Sequence, residues 1–201
     1  MQNVKNVSYD AIIQHALEMF KTRGIKGVRM EDVSKELKIS KRTLYERFSD
    51  KEELLLECVK LNAKVQWDKC TAFMSHSDNV MEILCFFLKN TLEEFSKYNS
   101  KFFVEVIKYR SVREFLDNKA QQEAEMKKAF FRRAVDEGLI VPGLDDELMG
   151  IMHRAAVDNL LKEKAYEKWS LQKIFITFIM LFMRGILTER GRKELDLYLT
   201  L

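Results

Sequence analysis

RMEDVSKELKISKRTLYERFSDK, residues 29–51, decides how the rest of the chain is read. Met30, Val33 and Leu37 stand at i, i+3 and i+7, an apolar stripe on an otherwise charged segment, which predicts a short helix packing inward. Ile39 then plugs a tight turn, and Ser40 stands where a side-chain oxygen can accept from an orphan amide of a second helix. That second helix keeps only Leu44 and Phe48, four apart, for a core. Lys41, Arg42, Thr43, Tyr45, Glu46 and Arg47 are left to point outward. So short a helix is marginal by itself, and its outward row is better explained by a partner than by folding. Asp50 with Glu53 three residues on has the form of a capping box opening a third helix, with Lys51 in its first turn. Amides beside a cation suit a phosphate. The pattern predicts a helix-turn-helix that lays its second helix in a DNA groove. The plainer alternative, a helical piece whose basic face is only solvated, leaves the agreement of turn, caps, anchors and polarity unexplained.

Charge divides along the chain in the same sense. The formal net charge is +3. Residues 1–51 hold 11 Lys/Arg against 7 Asp/Glu, and residues 52–201 hold 23 against 24, so the positive charge belongs to the head. That asymmetry is what attraction to a phosphate backbone requires, and it leaves the near-neutral remainder another task. A chain of 201 residues, 47% hydrophobic and 32% charged with one Pro and 7 Gly, reads as a helical protein with a sizeable core. Residues 4–9 are polar and short, unlike a signal peptide, and a cytoplasmic location is expected. Cys58, Cys70 and Cys85 have neither metal-ligand spacing nor an even count, so burial is the default reading for each and a redox sensor the minor one. No metal and no cofactor is expected.

Breaks fall at regular intervals and every segment between them has helical periodicity. Ser8 precedes a helix carrying Ile12, Ile13, Ala16, Leu17 and Phe20, stopped by Gly24 and Gly27. A long helix from Asp50 to about Met74 runs out of the head without a flexible linker. Helices over 80–97 and up to about Arg110 follow, then one opened by a Ser111–Glu114 capping box and ended by Gly138, Pro142 and Gly143. Leu148, Ile151, Met152, Ala155, Ala156 and Leu160 form a stripe with small residues at its centre. Ser170 starts a last helix whose run IFITFIMLFM, 174–183, is apolar almost all round. Ten residues are too few to span a bilayer. Such a helix is either central to one core or buried on two sides, against its own body and a second surface.

The stretch from Ile12 to Leu56 resembles the N-terminal signature of the TetR/AcrR family of bacterial transcriptional regulators. The resemblance is carried by Ala16, Leu17 and Phe20, then Gly24, Asp32-Val33, Ile39-Ser40-Lys41, Thr43-Leu44-Tyr45, Phe48 and Lys51-Glu52 before a Leu run. Two positions depart from it. Lys38 stands in the turn where the family usually has Gly, which predicts a strained or adjusted turn. Arg29 stands where a Thr or Ser usually caps the first helix of the motif, which moves a cap contact onto a cation.

The resemblance implies an all-α fold of about nine helices: a three-helix DNA-binding domain over 1–51 and, over 52–201, a helical bundle for effector binding and homodimerisation. Lys41, Arg42 and Tyr45 are expected at base edges and Arg47, Lys51, Ser40 and Thr43 at phosphates, with Arg29 completing the DNA-binding set. It also implies pairing of the last two helices across a two-fold axis, through Leu148, Met152, Ala155, Ala156, Phe175, Phe178, Ile179 and Phe182. Twelve of the 14 Phe lie after residue 51. They serve either a solid core or a cavity for a small apolar or amphipathic effector; the cavity reading selects Trp67, Phe86, Phe103, Tyr109, Met126, Phe130, Met152 and His153. No Gly-rich phosphate loop, GxSxG or HExxH occurs, and the three His are scattered, so no catalytic residue is expected. The function implied is a ligand-responsive repressor acting as a dimer on a near-palindromic operator; the alternative is a DNA-binding dimer controlled by a protein partner or by no ligand.

Overall fold

The computed structural model describes residues 7–199, so residues 4–6 of the polar opening stretch lie outside them. Among the described residues there are eleven helices and no strand, with one isolated bridge between Ile140 and Leu187. They group into two compact units. The first holds residues up to 69 together with 97–118, and the second holds 70–96 with the rest from 119. This is a partition by packing, whereas the division expected at residue 51 is by task.

In the first unit, α1 (Tyr9–Arg23) opens where the Ser8 hydroxyl accepts from the Ala11 amide and stops at Gly24, whose φ of 76° favours glycine. The spot is also crowded, since a Cβ there would stand 3.3 Å from a carboxylate oxygen of Glu105. α2 (Met30–Glu36) and α3 (Lys41–Tyr45) follow, then α4 (Lys51–Met74), which continues into the second unit. α6 (Phe102–Val106) and the first turns of α7 (Arg110–Asp136) complete this unit. Ile12, Ala16, Phe20, Ile25, Val33, Leu44, Phe48, Leu54, Leu55 and Cys58 are fully buried in one cluster, which Phe102, Val106 and Val112 join. At about 1.5–3 kcal/mol for each large apolar side chain buried, this cluster supplies the stability that α3, a five-residue helix, lacks alone. Leu44 is its single fully buried anchor within the helix, and truncation to Ala would cost about 2–5 kcal/mol.

The opening of α7 differs from the expected Ser111–Glu114 capping box. The helix begins at Arg110, and Ser111 presents its amide and hydroxyl to Glu52 on α4 instead. Glu114 pairs with Arg110 at 2.7 Å. A carboxylate 59 residues away has replaced the local cap.

The second unit contains α5 (Val80–Ser96), the remainder of α7, α8 (Asp146–Lys162), the four-residue α9 (Ala165–Lys168), α10 (Leu171–Ile186) and α11 (Glu189–Tyr198). α7 ends in a Schellman turn: Gly138 has φ 70° and the Leu139 amide reaches back to the Ala134 carbonyl at 2.9 Å. Leu139 and Ala134 then enter a core with Val80, Met81, Cys85, Ile140, Met183, Leu187, Leu195 and Leu199. The apolar helix is not the last, as the sequence led us to expect. Thr188 caps α11 by accepting from the Gly191 amide at 3.0 Å, and α11 adds Leu195 to this core. Its strongly polar sequence, ERGRKELD, hid that contribution from a search for apolar runs.

Candidate nucleic-acid interface and the exposed apolar face

The turn between α2 and α3 is itself a Schellman motif. The Ile39 amide bonds to the Ser34 carbonyl at 3.0 Å and the Lys38 amide to the Lys35 carbonyl at 3.2 Å, which places Lys38 at φ 56°. The adjustment expected at this position is therefore a left-handed lysine where glycine would be unstrained. Arg29 has no acceptor to offer as a helix cap. Asp32 takes the role by accepting from the Arg29 amide at 2.8 Å. Glu36 ties α2 to α1, receiving Arg23 at 2.5 Å and His15 at 3.1 Å; the Arg23 guanidinium, and then His15, hold its carboxyl below the usual range.

α3 begins as read: the Ser40 hydroxyl oxygen accepts from the Thr43 amide at 3.0 Å and lies 2.8 Å from the Thr43 hydroxyl. Lys41, Arg42 and Tyr45 are exposed, while Thr43 and Arg47 are half-buried. Lys41 pairs with Glu31 at 3.1 Å and Arg42 with Glu46 at 2.8 Å. Arg47 forms no ion pair among the described residues. The Asp50 carboxylate caps the Glu53 amide at 2.9 Å, but Glu53 reaches past Asp50 to the Ser49 amide and hydroxyl. Lys51 turns inward. Its ammonium donates to the Ile25 carbonyl at 2.5 Å and sits 5.9 Å from the Phe20 ring centroid, and burial lowers its pKa. Of the residues expected at DNA, Lys41, Arg42, Thr43 and Tyr45 lie on α3, Ser40 caps it, Arg47 follows it, Lys51 opens α4, and Arg29 stands apart before α2.

The residues chosen for an effector fall in both units: Trp67, Phe103 and Tyr109 in the first, Phe86, Met126, Phe130, Met152 and His153 in the second. Phe103 and Tyr109 pack on the core of the first unit, and Phe130 on that of the second. Phe86 stacks on Phe73 with centroids 4.0 Å apart. Trp67 is exposed at the end of the first unit's share of α4.

The expected interface residues take two directions. Ile179 packs against the second unit's own core, and Phe175 meets Phe95 edge-on at 5.0 Å. His153 gathers Phe178 at 5.0 Å and Phe182 at 6.3 Å, and burial, then the Arg154 charge, lowers its pKa. Beside them Leu148, Met152 and Leu181 are 56%, 56% and 79% exposed, and no residue of α8 is buried. Ala155 is exposed and Ala156 half-buried. Leu181 is the residue sequence reasoning missed. It stands in a run apolar on every side, where periodicity cannot select a face. A groove of about 400 Å³ lined by Leu160, Trp169, Ile174, Thr177, Phe178 and Leu181, with Lys173 at its edge, continues this surface.

The three cysteines are buried, and none forms a disulfide among the described residues. Burial pushes the Cys58 thiol far up and the Cys85 thiol up to about 11, which disfavours the thiolate that redox chemistry needs. Among the described residues no group of His, Cys, Asp or Glu could hold a metal ion, and no helix is long and apolar enough to cross a membrane.

A capped, exposed recognition helix held by two buried anchors on a three-helix base defines a helix-turn-helix DNA-binding protein. Residues 12–58 match the family described as bacterial regulatory proteins, tetR family, and solved structures share the fold of the rest of the chain. A TetR-family regulator from Marinobacter aquaeolei VT8 superposes with a TM-score of 0.70 at 20% identity, over 94% of this chain and 96% of the other. A transcriptional regulator from Saccharomonospora viridis, solved with choline, gives 0.68 at 19% identity over 89% and 96%. The fatty acid degradation regulator FadR of Bacillus halodurans gives 0.63 at 18% identity over 88% and 95%. No curated protein matches the chain.

Proposed function

We propose that this chain is a ligand-responsive transcriptional repressor that binds a near-palindromic operator as a homodimer. The observation that carries the reading is the uncovered apolar face of α8 and α10, with Leu148, Ile151, Met152 and Leu181 all about half or more exposed. Water is a poor neighbour for so much contiguous apolar surface, and a second copy of the same face covers it with two-fold symmetry. Two heads on a two-fold axis require two half-sites spaced by a whole number of helical turns. Within each head, Lys41, Arg42 and Tyr45 meet base edges, while Ser40, Thr43, Arg47 and the α4 start at Lys51 meet phosphates, with Arg29 beside them.

The effector we propose is small and apolar or amphipathic; the Saccharomonospora viridis regulator, which shares the fold, was solved with a small molecule, the cation choline. The aromatic and sulfur side chains of the second unit, Phe86, Met126 and Phe130, suit such a ligand. An effector releases DNA only to the extent that it binds the DNA-free conformation more tightly. By linkage it binds the operator complex more weakly by the same factor. The test maps where the protein sits on its own genome, then titrates the recovered operator against a panel of apolar and amphipathic compounds. An inverted repeat released by at least one compound class is expected. A site without two-fold symmetry, or an operator that no compound releases, would count against the reading.

A further inference from the structure

Glu46, outside the DNA-contacting set, stands one helical turn after Arg42 and accepts from its Nε at 2.8 Å, with both side chains more than half exposed. From this pair, and resting on the DNA-binding reading above, we infer that Glu46 is a positioning residue for specificity: it aims the Arg42 guanidinium at a guanine in each half-site.

A guanidinium carries five N–H donors in one rigid plane. The Glu46 carboxylate occupies the Nε edge, which leaves the two Nη groups side by side at the far end. Two adjacent donors in one plane fit two adjacent acceptors. In the major groove only guanine presents them, as O6 and N7; adenine offers one acceptor beside a donor, cytosine a donor, and thymine an acceptor beside a methyl. Helix stability does not account for the pair. Arg ahead of Glu at i,i+4 is the less favourable order, and exposed pairs contribute little. α3 is also too short to depend on it. Recognition does account for it, because an arginine already fixed in one plane loses less freedom on docking than a mobile one.

The pair also separates Arg42 from bulk phosphate attraction. Glu46 cancels its charge locally, as Glu31 does for Lys41 at 3.1 Å. Removing Glu46 therefore has two effects of opposite sign: the head gains net positive charge and binds unrelated DNA more tightly, while Arg42 loses its aim and reads its base less well.

The experiment is selection of double-stranded DNA from a random library by the full-length protein and by Arg42→Ala, Arg42→Lys, Glu46→Ala and Glu46→Gln, with binding of each to unrelated duplex measured at one fixed salt. Circular dichroism melts check that each variant remains folded. The parent should select a guanine in each half-site. Arg42→Ala should lose about tenfold or more of the discrimination at that position, and Arg42→Lys part of it. Glu46→Ala should weaken discrimination at the same position while binding unrelated DNA more tightly, with Glu46→Gln intermediate. The inference is overturned if Arg42→Ala keeps every base preference, or if Glu46→Ala raises affinity uniformly with the profile intact. It is also overturned if Glu46→Ala loses preference at a different position from Arg42→Ala, which would make Glu46 a direct reader of cytosine. A folded parent that selects no DNA at all would overturn the DNA-binding reading itself, and this inference with it.

Discussion

Glu52 on α4 accepts two hydrogen bonds from Ser111 at the start of α7, one from the backbone amide at 2.9 Å and one from the hydroxyl at 2.7 Å. One carboxylate oxygen thus satisfies an orphan amide of α7 that no local side chain reaches. These bonds hold the Glu52 carboxyl below the usual carboxylate range. A folded-state pKa below the unfolded one means stability that is present above the unfolded value and lost as pH falls through the folded value. Ser111→Ala should cost about 1 kcal/mol at neutral pH. Glu52→Gln, which keeps an acceptor but not the charge, should cost less. In urea melts the gap between parent and Glu52→Gln should be constant near neutrality and close below about pH 4, where the parent carboxylate protonates too. A gap unchanged down to pH 2 would show that the charge of Glu52 contributes nothing.

Lys38 offers a stabilising change. A lysine at φ 56° carries the Cβ conflict that makes left-handed backbone unfavourable by about 1–2 kcal/mol. Glycine removes that conflict but costs unfolded-chain entropy of up to about 1 kcal/mol. Lys38→Gly should therefore raise stability by about 0.5–1 kcal/mol, or roughly 1–4 °C in Tm for a chain of this size. Lys38 is exposed and outside the proposed contacts, so operator binding should weaken only by the loss of one positive charge in the turn before α3. A melt that falls on substitution would mean the turn has relaxed around the lysine.

The helix α10 separates folding from association. Leu181 is 79% exposed and Ile179 packs inward on the second unit's core. Leu181→Glu should leave the melt of the isolated chain nearly unchanged and shift sedimentation from dimer to monomer, because the covered face would hold an unpaired charge at a cost of several kcal/mol. Ile179→Asp should instead lower Tm, since the carboxylate enters the chain's own core. A folded Leu181→Glu protein that still sediments as a dimer would move the interface away from this face.

What was legible in the chain, and what was not, follows the reach of each interaction. The head could be read because its signals are local: Ser40 caps Thr43 three residues on, Asp50 caps Glu53, and Leu44 and Phe48 share a face by spacing. A strained or adjusted turn at Lys38 was foreseen from the residue that usually stands there, and the structure makes it left-handed. The Ser111 cap was misread because its real partner, Glu52, is 59 residues away. In the run from Ile174 to Met183 no polar residue but Thr177 marks a side, so Ile179 and Leu181 could not be told apart until a neighbouring core existed. The inward turn of Lys51 was hidden for a related reason. A long side chain can lay its stem on apolar surface and carry its ammonium to a carbonyl, and composition does not say which direction it takes.

That inward turn gives the last prediction, a contrast between two basic residues of the head. Arg47 has no ion pair among the described residues, so its guanidinium is available to a phosphate. Arg47→Ala should weaken operator and unrelated DNA alike and flatten the salt dependence by about one phosphate per head, with the melt unchanged. Lys51 is engaged at home: its ammonium satisfies the Ile25 carbonyl in the segment between α1 and α2, beside the Phe20 ring. Lys51→Met keeps most of the apolar stem and removes one of two donors to that carbonyl, which retains the Val28 amide at 3.3 Å, a loss of about 1 kcal/mol. Its DNA affinity should therefore fall together with its Tm, and lowering the temperature should restore affinity in Lys51→Met more than in Arg47→Ala. Equal salt slopes for the parent and Lys51→Met would assign Lys51 wholly to the fold. A slope flattened as much as in Arg47→Ala, at an unchanged melting temperature, would mean that Lys51 leaves Ile25 to reach the backbone of the DNA.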